Sequence, residues 1–220
     1  MSWLVLFDVD GTLLLTHDDV YVEANRVALT EVYGSAPDGS DVPGDTATAH
    51  TRRALAEAGF SGKQIDAGLR RWCEVFSARY VELLAGADTS QWELAPGAHA
   101  AIAALDRRAL LTGNPPAVAH ARMERLGLAE SFTPGEGAFG CEREQRTELF
   151  ALARERSGNW PADRTVAVGD TPVDVSSAHD AGCRCVAVTT GRYAAHQLAA
   201  ADVVIPDLSQ LAPALRALDG

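Results

Sequence analysis

A chain of 220 residues is long enough for one well-buried core, or for a core with a small second domain. Its net charge of −11 excludes nucleic acid and anionic membrane surfaces as natural partners. No run of apolar residues reaches the roughly 18 needed to span a bilayer, and an anionic small substrate stays possible where a metal and a few arginines reverse the charge locally.

The chain begins with a strand. Trp3 to Phe7 is an unbroken apolar run, too short for an ordinary helix, and it reads as a strand buried on both faces, as in a parallel sheet. It stops at Asp8, and Asp10 and Gly11 follow. Two carboxylates this close repel unless a cation or a proton lies between them. A strand starting at residue 3 leaves no room for a signal peptide, which points to the cytoplasm.

Residues 18–33 then place Val20, Ala24, Val27, Ala28 and Val32 on one helical face, with Asp18 or Asp19 as N-cap and Gly34 after the end. A loop over 35–45, a helix over 46–58 and a longer helix over 62–85 follow. Residues 16–94 thus read as an all-helical insertion, set between the first strand and an α/β region from residue 95 onward. There the expected strands are 109–111, 131–133, 165–168, 184–189 and 202–205. The expected helices are 98–107, 116–126, 144–157, 173–181, one opening at Gly191, and 207–218. Strands alternating with helices of this length predict right-handed crossovers and a mostly parallel sheet. The fold class is therefore α/β. Residues 1–15 and 95–220 are expected to form a Rossmann-like core, and 16–94 a second, all-helical domain inserted into it.

The four cysteines, Cys73, Cys141, Cys183 and Cys185, read as small buried thiols in a reducing compartment. Three strands of the α/β part end in Asp8, Thr112 and Asp170. In a parallel sheet these ends share one edge, where such sheets bind ligands.

Asp8-Val9-Asp10-Gly11-Thr12-Leu13 resembles the first motif of the haloacid-dehalogenase superfamily, most of whose members are Mg-dependent phosphohydrolases. The resemblance implies Asp8 as the nucleophile and Asp10 as general acid, then general base. Thr112-Gly113-Asn114 resembles the second motif, whose hydroxyl and following backbone N–H groups hold phosphate. Gly169-Asp170-Thr171-Pro172-Val173-Asp174 resembles the fourth motif. It implies a Mg²⁺ ion held by Asp8, the Asp10 backbone carbonyl and Asp170, with Asp174 acting through water; hard oxygen ligands of this kind suit Mg²⁺.

The third motif departs from the usual pattern. It normally carries a lysine, but the single lysine, Lys63, lies in the helical insertion. The stretch from Phe139 to Leu149 resembles the arginine-bearing form, with Arg146 first choice and Arg143 second.

The insertion occupies the position of the cap in the class that includes phosphoglycolate phosphatases and β-phosphoglucomutases. His17, Arg52 and Arg53 are the cap-side groups expected to meet substrate. The expected reaction is hydrolysis of a small phosphorylated metabolite by a monomer or homodimer. A β-phosphoglucomutase-like transferase would use the same core residues. A metal-independent dehalogenase would have no use for Asp10 and Asp170.

Overall fold

The computed structural model describes residues 2–133 and 135–219. Six parallel strands form one sheet in the order β3-β2-β1-β4-β5-β6. They are β1 (Leu4–Phe7), β2 (Arg107–Thr112), β3 (Ala138–Phe139), β4 (Thr165–Gly169), β5 (Arg184–Val188) and β6 (Val203–Ile205). The chain adds strands on one side of β1, then returns to add β4 on the other side. The strand order therefore reverses at β1, and a crevice opens there at the carboxyl edge.

The side chains of β1 show why its sequence does not alternate. Val5 and Phe7 join one apolar cluster with Val166, Val168 and Val186, while Leu4 and Leu6 join another with Phe150, Val175 and Cys185. Both faces are covered by helices. α4 (Ala98–Ala103), α5 (Pro116–Arg125) and α8 (Leu211–Ala217) contribute to the first cluster, and α6 (Arg146–Arg156) and α7 (Pro172–Asp180) to the second.

Between β1 and β2 stand α1 (Asp19–Tyr33), α2 (Ala47–Glu57) and α3 (Gly62–Gly86). Their starts follow from capping. Asp18 accepts from Tyr21 N–H, Thr46 from Ala49 N–H, and Ser61 forms a capping box with Gln64. These helices bury a third cluster centred on Trp72, Phe76 and Tyr80, and the Trp72 indole donates to Asn25 Oδ1 at 3.0 Å. The two chain crossings into this helical part run side by side. Leu15 N–H donates to Glu93 O at 2.9 Å, Ala95 N–H to Leu13 O at 2.9 Å, and the Thr16 hydroxyl to Gln91 O at 3.0 Å.

Several expected elements differ from those observed. The segment 131–133 is no strand; a 3₁₀ turn over Ala129–Ser131 lies there, and the edge strand is Ala138–Phe139. The helix expected from Gly191 is a single 3₁₀ turn at Ala195–Gln197, and α4 ends at Ala103, earlier than expected. The cysteine expectation holds for Cys183 and Cys185, which are buried and free. It is corrected for Cys73 and Cys141, which form a disulfide with Cα atoms 6.2 Å apart, inside the ordinary range. The bond joins α3 to the loop after β3. Among the described residues no helix is long and apolar enough to cross a membrane.

Candidate active site

Register puts the three strand ends together. Phe7 pairs with Leu110 on one side and Val168 on the other, and Asp8 N–H donates to Val168 O at 2.9 Å. Asp8, Thr112 and Asp170 therefore meet at the carboxyl edge. The turn that ends β1 is closed by Leu13 and Leu14 N–H groups donating to Val9 O, at 2.8 and 2.9 Å. Gly11 has φ 72°, and a Cβ there would collide with the Asp170 carboxylate; one at Gly191 would meet the same group. Glycine at both positions lets backbone close around Asp170.

Asp8, Asp170 and Asp174 are all buried and each can offer an oxygen within 4.8 Å of the others. Burial raises Asp8 to about 7 against the opposing pull of Arg146, and the charges of Asp174 and Asp10 push the same way as burial. Burial, reinforced by Asp8 and Asp174, raises Asp170 to about 8. Crowded, desolvated carboxylates of this kind fit a hard divalent cation, which would offset their repulsion.

Arg146 opens α6 and is buried beside this cluster. Its Nη2 lies 3.1 Å from Asp8 Oδ1 and donates to Asp174 Oδ1 at 2.6 Å; its Nη1 donates to Gly44 O at 3.0 Å. Among the described residues its Nε, also buried, has no hydrogen-bond partner. Arg143 is exposed and turns to its own neighbour, donating to Glu142 O at 2.7 Å. Asp174 is fully engaged: its Oδ2 accepts from Thr171 N–H and hydroxyl at 3.0 and 2.7 Å as the capping box of α7, and its Oδ1 holds Arg146.

The second expected motif is wired toward Asp10. Asn114 Nδ2 donates to Asp10 Oδ2 at 2.7 Å and to the Thr112 hydroxyl at 2.9 Å. Gly113 is close to backbone, as its lack of a side chain allows, but that backbone belongs to Asp45. Its carbonyl accepts from Ala47 N–H at 2.7 Å, and the Gly140 carbonyl accepts from the Thr48 hydroxyl at 2.7 Å. The start of α2 thus sits directly on the loops after β2 and β3.

Together these elements wall a cleft of about 550 Å³ that contains Asp8, Asp10, Arg146 and Asp170 at its floor and His17, Tyr21 and His50 on the helical side. Of the expected cap-side groups, Arg52 is engaged with Asp66 and Glu144, at 2.8 Å each, and Arg53 with Asp45. His17 stays exposed. Sequence reasoning missed His50 and, more consequentially, Arg122. That arginine lies on α5 and its Nη1 reaches both Asp10 oxygens, at 3.0 and 2.9 Å.

A parallel α/β sheet with an inserted helical cap and an aspartate cluster at its carboxyl edge is the architecture of a haloacid-dehalogenase-type hydrolase. Residues 4–182 match the haloacid dehalogenase-like hydrolase family, and the chain belongs to it. A phosphoglycolate phosphatase of Pseudomonas fluorescens (strain Pf0-1) is 26% identical over 222 residues, covering 96% of this chain and 78% of that protein. The fold is shared with CbbY of Rhodobacter sphaeroides, solved with phosphate (TM-score 0.67, 21% identity, 96% of each chain). It is shared also with a β-phosphoglucomutase of Clostridium difficile (TM-score 0.70, 17% identity, 100% of this chain and 98% of that one).

Proposed function

We propose that this hydrolase is a Mg²⁺-dependent phosphomonoesterase that cleaves a small phosphorylated metabolite through an aspartyl-phosphate on Asp8. The observation that carries the reading is the Asp8 carboxylate itself. It stands at the end of the central strand, buried, 3.1 Å from an arginine and beside two further carboxylates. The phosphoglycolate phosphatase relative supports phosphate ester hydrolysis, and residues 16–94 are proposed to act as the cap domain over the cleft.

On this reading Asp8, Asp170 and the Asp10 backbone carbonyl would hold the cation, with Asp174 acting through water. Bound there, Mg²⁺ would supply the positive charge that lets an anionic nucleophile meet an anionic phosphate. A carboxylate oxygen of Asp8 forms the new P–O bond as the bond to the leaving oxygen breaks. Asp10 gives that oxygen its proton. Asp10, now a carboxylate, takes a proton from water, whose oxygen attacks phosphorus and releases phosphate and Asp8. Thr112 and Arg146 face the oxygens on which charge accumulates. Gly113 and Asn114 support Thr112 and Asp10, and the helical cap excludes bulk water.

The test is release of inorganic phosphate from a panel of phosphorylated metabolites, with Mg²⁺ and with EDTA. Mg²⁺-dependent release supports the reading. Hydrolysis that persists in EDTA would overturn the metal assignment. Transfer of the phosphoryl group to a sugar, without free phosphate, would make the protein a phosphotransferase.

A further inference from the structure

The reaction as written uses Arg146 and leaves a second buried arginine without a task. Arg122 is 1% exposed, on a helix that covers one face of the sheet through Ala119 and Met123 and packs on the inserted helices through Val118. Its guanidinium spans two structural units. Toward the core, Nη1 straddles both oxygens of Asp10. Toward the cap, Nε and Nη2 donate to Asp18 Oδ2 at 2.9 and 2.8 Å. The Tyr80 hydroxyl donates to that same oxygen at 2.7 Å, and the Tyr21 ring lies under the guanidinium at 4.9 Å. Asp18 is the N-cap of α1 and Tyr80 lies in α3, so both anchors belong to the inserted helices.

The balance of charge makes this more than packing. A buried guanidinium between two carboxylates is a poor way to gain stability, since apolar side chains of similar volume often serve as well or better. The two carboxylates also differ: the Asp18 side chain is 2% exposed, while that of Asp10 is 57% exposed and faces the cleft. Asp10 sits in the turn after β1, where Asn114 is its one other side-chain partner among the described residues. Without Arg122 its carboxyl group would keep the single hydrogen bond from Asn114 and face the cleft with one oxygen unheld.

We propose that Arg122 is a positioning residue for Asp10, fixing the carboxylate that moves protons and tying that orientation to the seated cap through Asp18 and Tyr80. The arginine touches no reacting atom. Its planar head bridges two carboxyl groups at once, which a lysine cannot do with the same geometry. A cap that carried Asp18 and Tyr80 away would strip the arginine of one anion and its hydroxyl neighbour. Asp10 would then be aimed only when the cleft is covered.

This rests on the phosphatase reading, and leaving-group dependence separates the two. An alkyl phosphate needs its leaving oxygen protonated; p-nitrophenyl phosphate does not, because p-nitrophenolate is a stable anion. Values of kcat/KM, which report steps up to the first irreversible one, are measured for both esters with Mg²⁺. Arg122→Met is expected to lose about 10-fold or more on the alkyl ester beyond its loss on the aryl ester, a fraction of what general acid catalysis contributes. Arg122→Lys should shift the ratio in the same direction by less, and Tyr80→Phe, which removes only the hydroxyl, by a few-fold. Circular dichroism and melting temperature establish folding. If Arg122→Met does not fold, the lysine and phenylalanine variants decide. An alkyl-to-aryl ratio unchanged from wild type in the folded variants overturns the proposal and makes Arg122 a structural residue. Full activity of Asp8→Asn would instead overturn the phosphatase reading.

Discussion

Two arginines, each buried between two aspartates, divide the work of this molecule differently. Arg146 joins Asp8 to Asp174, and both partners lie in the sheet-bearing part. Arg122 joins Asp10 to Asp18, one partner in the turn after β1 and the other at the head of the first inserted helix. The first cluster draws both carboxylates from the core and takes only one backbone carbonyl, that of Gly44, from the inserted segment. The second is complete only with the cap in place. On the proposed mechanism the nucleophile is thus set by core side chains, while the proton-handling group is set by side chains of core and cap together.

The largest expected effect breaks the first cluster. Arg146→Ala leaves Asp8 and Asp174 facing each other without a counter-charge. Loss of one contact to transition-state charge costs about 10²–10³ in kcat, and Arg146→Lys should recover only part of it because lysine lacks the planar fork. Steady-state kinetics on any accepted phosphate ester checks this. If Arg146→Ala turned over normally, the positive charge near Asp8 would have to come from elsewhere.

A second test concerns how cap and core are tied. The Cys73–Cys141 disulfide closes a loop of 68 residues between them. By chain entropy such a cross-link stabilises by about 4 kcal/mol, and in a chain of this size each kcal/mol moves the melting temperature by roughly 2–4 °C. Cys73→Ser, or reduction of the wild type, should therefore lower it by roughly 10 °C. The Arg146 cluster does not involve the bond, so phosphate release at a temperature where the protein stays folded should survive reduction. An unchanged melting curve would mean that the bond does not form in solution.

The smallest effect is expected at Arg143, which is exposed and bonded only to a neighbouring carbonyl. Arg143→Ala should change kcat by less than about two-fold, as for surface residues away from the site. A crippling effect there, with a silent Arg146→Ala, would exchange the two residues' roles.

The comparison of the two clusters also explains what the sequence could reveal. The first cluster was readable because its residues punctuate buried strands. Asp8 and Asp170 each follow an apolar run, and strand ends on a parallel sheet share an edge. Arg146 was readable only by resemblance to a motif. Arg122 punctuates nothing. It sits mid-helix among Ala121, Met123, Glu124 and Arg125 and reads as surface. Helical spacing held the missed signal, for Val118, Ala119, Arg122 and Met123 share one buried face of α5. Asp18 was legible as a cap but not as a partner of Arg122, since that pairing spans 104 positions. The disulfide was hidden for the same reason. The edge strand was missed because Ala138–Phe139 is two residues long, too short for any periodicity to register. Asp174 was placed near the metal by motif spacing, and nothing local announced that its carboxylate would be spent on Arg146 and the α7 cap.

The most direct test of the central claim is to trap the phosphoryl group. The protein is mixed with a radiolabelled phosphate ester and Mg²⁺ and quenched in acid within the first turnover. The label is expected on the protein, released by hydroxylamine as an acyl phosphate, and carried by the peptide containing Asp8. Asp8→Asn should fold normally, carry no label and release no phosphate. Label on any other residue, or undiminished phosphate release by Asp8→Asn, would contradict the account.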